Sequence, residues 1–225
     1  MTTKNMDMEE QLYTTPVKSL WLVFPAKVLS YLFHPLFIPT YFFLYLVYRF
    51  PYLFTDISVY QLKLKVFSTF WMTAFFPAFA VFLLYKLKFA SSIYLRTAKE
   101  RIAPYMITMF FYWWMYYLSK NMTNQPEALQ YFYFGIFIST SIGLVINNFI
   151  KISLHGIAMG SLLAAMILLS FFYQTPMGMA ISITALITGM VATSRLIVSD
   201  HTTQEVYAGL ILGIACQLIG YFFAM

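Results

Sequence analysis

The feature that most constrains this chain is a succession of apolar runs, each close to twenty residues long, separated by short polar breaks. A run of that length closes its backbone hydrogen bonds as a helix and matches the hydrocarbon thickness of a bilayer. The runs cover residues 36–53, 66–88, 103–119, 128–149, 156–173, 177–197 and 203–224. Hydrophobic residues make up 61% of the chain and charged residues 10%, too few ionic groups to cover a water-soluble domain. The expected fold is an all-α, polytopic membrane bundle of six to seven transmembrane helices.

Residues 19–34 are apolar but short and contain Pro25 and Lys27, so they read as an interfacial or re-entrant helix. Residues 1–35 are then an N-terminal tail plus that helix, and 36–225 the membrane domain. The tail "MTTKNMDMEEQLYTTPVKS" lacks a basic region followed by a short apolar core. Insertion through the transmembrane helices, without a cleaved signal peptide, is expected. The net charge of +6 is modest and its cations sit near the ends of apolar runs. Anionic lipid headgroups suit that pattern better than nucleic acid. Cys216 is the single cysteine, which excludes an intrachain disulfide.

Three polar breaks stand out: "LKFASSIYLRTAKERIAP", "KISLHG" and "SRLIVSDHTTQE". Two spans separate the first from the second, and two more separate the second from the third. All three must therefore emerge on one face of the membrane. A transport path would instead spread polar groups through the depth of the bilayer. In the third break His201 and Glu205 are four apart and share a helical face; Gly209 and Gly213 continue that register and permit close helix approach. A carboxylate one turn from a histidine accepts one ring N–H and leaves the other nitrogen free as base, nucleophile or ligand. The second break offers Lys151, Ser153 and His155 at a helix N-terminus, which favours an anion. The first offers Arg96, Lys99 and Arg101. Together they make a phosphate site with a candidate nucleophile and a candidate acid. Thr202 with Glu205 also fits a capping box, which a catalytic role for Glu205 does not exclude. Asp200 reads either as a helix cap or as a charge that repels phosphate. His34, in "FHPLFIP", reads as interfacial packing.

The spacing Ser194-Arg195, five residues, His201, three residues, Glu205 resembles the third signature of the type 2 phosphatidic acid phosphatase (PAP2) superfamily, which has Asp where this chain has Glu205. "ISLH" resembles the second signature, Pro-Ser-Gly-His, keeping Ser153 and His155. The first signature, Lys, six residues, Arg-Pro, survives only as Arg101, with Pro104 three residues on and Tyr94 in the lysine position. The resemblance covers roughly residues 66–225. It implies a lipid phosphatase in which His201 attacks phosphorus, Glu205 orients it, and His155 protonates the leaving oxygen and then activates water. Arg195, Arg101, Lys151, Ser153, Ser194 and Lys99 would hold the phosphoryl oxygens, with no metal or other cofactor. The implied substrate is a lipid phosphate or lipid pyrophosphate, reached laterally at a shallow site. The implied location is a bacterial inner membrane, with the site facing the extracytoplasmic side. The positive-inside rule argues the other way if residues 19–34 do not cross. A phosphotransferase using the same histidine and a non-catalytic anionic-lipid binder are the alternatives.

Overall fold

The computed structural model describes residues 20–89, 98–122, 124–198 and 201–224. Tyr94, Arg96 and Asp200, together with the N-terminal tail, lie outside them. Helices are numbered from the first described one: α1 Leu20–Leu32, α2 Ile38–Arg49, α3 Val59–Phe70, α4 Phe76–Lys86, α5 Ala98–Asn121, α6 Glu127–Asn147, α7 Leu154–Phe172, α8 Gly178–Val198 and α9 Thr203–Ala224. The described residues contain no strand, and the chain is an all-α membrane bundle. Six helical stretches are long and apolar enough to cross a bilayer: Trp21–Arg49, Val59–Lys86, Glu127–Asn147, Leu154–Phe172, Gly178–Val198 and Thr203–Phe223.

Two differences from the expected spans have local causes. The second span begins at Val59 rather than 66. Ser58 and Gln61 form a reciprocal capping box (Gln61 N–H to Ser58 Oγ 3.2 Å, Ser58 N–H to Gln61 Oε1 2.9 Å) that starts the helix before its apolar part. The helix expected over 103–119 is present as α5, whose 24 residues extend about 36 Å. Its run of Tyr and Trp, with polar ring tips, keeps it out of the six most apolar stretches.

Helix α3 passes into α4 through a π turn at Trp71–Phe75, just before Pro77. Proline has no N–H to bond the preceding turn, and a widened turn relieves the clash of its ring with that turn. Thr73 Oγ1 donates there to the Thr69 carbonyl at 2.8 Å.

Helix α9 packs along α7 and α6 through glycines. Gly156 and Gly160 of α7 face Gly209 and Gly213 of α9, and the two backbones touch directly. In lipid, where apolar tails compete with apolar side chains, backbone proximity of this kind is a main source of helix association. At the head of the seam, Ser153 N–H donates to the Glu205 carbonyl at 3.2 Å, which ties the N-termini of α7 and α9 together. Farther along, Gly220 meets the Tyr131 carbonyl and Gln217 Nε2 donates to the same oxygen at 3.3 Å. Phe42, Phe43, Phe50, Tyr131, Phe132 and Tyr133 form a fully buried aromatic core.

Candidate active site

All three polar breaks reach one end of the bundle. Arg101 in the first turn of α5, Lys151 and His155 around the start of α7, Arg195 in the last turn of α8 and His201 just before α9 line a single cavity of about 740 Å³. Helix α1, with Lys27, Ser30 and Tyr31, and the joint after it, with His34, also line it. The chain has three histidines, and all three line this cavity.

Each histidine has one nitrogen anchored. His201 Nδ1 lies 2.8 Å from Glu205 Oε2. A carboxylate accepts, so Nδ1 carries the proton and Nε2 keeps its lone pair. Glu205 Oε2 also accepts from Thr202 N–H at 3.1 Å, and Glu205 N–H donates to Thr202 Oγ1 at 3.3 Å. The capping box and the His–Glu pair therefore share Glu205, and its one carboxylate serves both. Burial pushes the His201 ring below the ordinary histidine value; the Glu205 hydrogen bond opposes that shift, and Arg101 and Arg195 add to it. His155 is fixed from the other side. Its Nε2 sits 3.0 Å from the Ser30 carbonyl of α1, so Nε2 carries a proton and Nδ1 is the nitrogen left for chemistry. Ser30 thus does for His155 what Glu205 does for His201.

His34, read from sequence as interfacial packing, belongs to the cavity. It caps the short 3-10 turn Pro35–Phe37, and its Nδ1 accepts from Leu36 N–H at 3.4 Å. A residue before proline is driven to extended backbone, and proline suits the first position of the turn, so His-Pro is a natural start signal. The ring stands edge-on to His155, centroids 5.4 Å apart and planes at 82°.

The phosphate-binding candidates divide. Arg195, Arg101 and Lys151 line the cavity. Ser153, Ser194 and Lys99 do not. Ser153 is fully buried and caps α7, its Oγ accepting from Gly156 N–H at 3.3 Å. Ser194 is buried and donates to the Met190 carbonyl at 2.8 Å. Lys99 is exposed. Sequence reasoning passed over Ser30, His34 and Tyr105 as site residues. Only the His-Pro pair carried a local signal, and it spoke for a turn rather than for chemistry.

The cavity is also deeper than the shallow site expected. It continues between helices past Pro39, Pro77, Ala78, Ile157 and Ala158 to Tyr112, Ile136, Ser139, Thr140 and Ser161. Thr140 lies seven residues before the end of α6 and Ser161 seven after the start of α7, each about 10 Å along its helix. The deep hydroxyls are spent on backbone: Ser139 and Thr140 donate to the Ile136 carbonyl at 3.0 and 2.7 Å, and Ser161 to the Gly213 carbonyl at 3.3 Å. Cations and histidines therefore crowd the outer end, while the inner end is mainly apolar. Compared with protein-family profiles, curated proteins and solved structures, the chain matches none.

Proposed function

We propose that the chain is an integral membrane lipid phosphatase, hydrolysing a phosphomonoester or pyrophosphate on a lipid through a phosphohistidine, as the resemblance to type 2 phosphatidic acid phosphatases implies. The observation that carries this reading is His201. Its Nδ1–H is held by Glu205, its Nε2 has no partner among the described residues, and it shares a cavity with two guanidinium groups.

In the proposed sequence, Nε2 of neutral His201 attacks phosphorus and the P–O bond to the lipid breaks. The resulting imidazolium keeps Nδ1–H on Glu205, whose negative charge stabilises it. By the resemblance, His155 protonates the departing oxygen from Nδ1 while Nε2–H stays on Ser30, having taken that second proton up with the negatively charged lipid phosphate beside it. Water then attacks the phosphohistidine, and His155 Nδ1 takes its proton. Arg195, Arg101 and Lys151 hold the phosphoryl oxygens and the charge that develops on them. The lipid tail occupies the apolar inner end of the cavity. The expected setting is a bacterial inner membrane, with the site on the extracytoplasmic side.

The test is phosphate release by purified protein from a panel of lipid phosphates and pyrophosphates, with His201→Ala and His155→Ala alongside. His201→Ala should abolish both release and acid-labile phosphorylation of the protein. Release that survives both substitutions would refute the mechanism. Lipid phosphate bound without turnover in the parent protein would make it a binder instead.

A further inference from the structure

We propose that His34 is a third functional histidine of this site: a neutral imidazole whose Nε2–H donates to a phosphoryl oxygen of the bound lipid. The inference rests on the phosphate-site reading above and adds a residue that no signature predicts.

The tautomer comes from the backbone. Nδ1 of His34 accepts the Leu36 N–H, so that nitrogen holds a lone pair and the neutral ring carries its proton on Nε2. Nε2 has no partner among the described residues, and the ring lines the cavity beside His155. Two residues that border the same cavity, Ser30 and Tyr105, carry buried hydroxyls with no hydrogen-bond partner among the described residues. Buried hydroxyls are nearly always paired in folded proteins. A phosphoryl group presents several acceptor oxygens, and a neutral donor on the turn after α1 complements the cavity cations Lys27, Arg101, Lys151 and Arg195. Ser30 lies one helical turn before His34, and its carbonyl anchors His155. The end of α1 thus brings a donor to the substrate and an orienting group to the acid. A neutral donor of this kind stabilises charge that builds on oxygen without transferring a proton.

The duller role for His34 is the turn cap alone, and two substitutions separate the roles. In His34→Asn, Oδ1 replaces Nδ1 and keeps the cap, but nothing replaces the Nε2 donor. In His34→Gln the amide nitrogen reaches the Nε2 position and the cap is lost. If His34 donates to substrate, His34→Asn loses roughly 100-fold in kcat/KM with little change in melting temperature, while His34→Gln stays within about tenfold of the parent. The reverse order would overturn the proposal.

Ring NMR on ¹⁵N-histidine-labelled protein in micelles, titrated with inorganic phosphate, reads the contact directly. With three histidines, each signal is assigned by its own variant. The His34 Nε2–H proton should move downfield. If it moves but no lipid phosphate is hydrolysed, the hydrolase reading falls and the His34 contact stands. If hydrolysis proceeds, His34→Asn matches the parent and the signal stays still, His34 falls and the hydrolase reading stands.

Discussion

Replacing Gly209 with alanine should damage the site without touching any residue that faces it. The new Cβ would stand 2.6 Å from the Ser153 carbonyl oxygen, 3.1 Å from Ile157 N and 3.3 Å from Gly156 Cα. All three are backbone atoms, so no side chain can rotate away. Ordinary contact begins near 3.4 Å, and α7 and α9 must therefore part by about 0.8 Å at this level. The Ser153 N–H bond to the Glu205 carbonyl, already 3.2 Å, stretches out of hydrogen-bond range if the displacement lies along it. Overpacking of this kind costs on the order of 1–3 kcal/mol. The catalytic cost should be larger. Ser153 leads into His155, and Glu205 holds His201, so the same displacement draws the two histidines apart. A misplacement of about 1 Å can cost on the order of 100-fold in rate. Thermal unfolding in micelles reads the first effect and single-turnover phosphate release the second. Gly189→Ala is the control, since nothing lies within 4 Å of a Cβ there. If Gly209→Ala melts and turns over like the parent, the glycine seam is not what sets the spacing of the histidines.

Three other outcomes follow from the site. Glu205→Gln keeps an acceptor for the helix cap but removes the charge that stabilises the His201 imidazolium, so kcat should fall about 100-fold to 10,000-fold; Thr202→Ala removes only the cap hydroxyl and should cost about 1 kcal/mol of stability with kcat nearly kept. Burial, reinforced by Arg101 and Arg195, lowers the His201 value, so the nucleophile stays neutral into mildly acid solution. The acid limb of kcat/KM, where activity is lost as Nε2 takes a proton, should then lie below pH 6.5, and a limb above it would contradict the assigned environment. Gln174→Cys, in the turn at the end opposite the site, should be shielded from an impermeant maleimide added to intact cells if the site faces outward; labelling there would place the site in the cytoplasm.

Most spans were legible because length and hydropathy are properties of one segment at a time; the first was expected over 36–53, whereas the stretch long and apolar enough is Trp21–Arg49, which takes in the segment read as interfacial. Helix α9 was expected over 203–224 and runs Thr203–Ala224. Placing the three breaks together needed only parity: an even number of crossings between them puts them on one face, and Arg101, His155, Arg195 and His201 share one cavity. Ser153 and Ser194 illustrate the limit. Signature spacing singles them out, but whether a hydroxyl faces a ligand or its own backbone depends on rotamer and helix phase, and both turn to backbone here. Lys99 shows the same limit for charge, since its place beside Arg101 in sequence leaves it outside the cavity. The Ser30 carbonyl on His155 was beyond reach for a different reason: it is a contact across 125 positions between a main-chain atom and a ring.

The shape of the cavity bears on why such a site sits at helix ends yet reaches inward. Three of its cations are in the first turn of α5, at the start of α7 and in the last turn of α8, and the fourth, Lys27, is exposed on α1. At that level headgroup water can solvate them, and the cost of keeping them in a membrane stays small. The deep wall carries no ionised group among the described residues, and the hydroxyls of Ser139, Thr140 and Ser161 are bonded to helix carbonyls. A small water-soluble phosphate ester would touch only the outer end. A lipid would add apolar contact over the inner end, worth about 0.8 kcal/mol for each methylene fully buried. On the proposed reading the preference for lipid over soluble phosphate esters therefore lies in this inner wall. Filling it, for example with Ala158→Phe, should narrow that preference while leaving slow hydrolysis of a soluble phosphate in place. If Ala158→Phe lowers both rates equally, the tail does not bind there and the lateral route between helices is the better account.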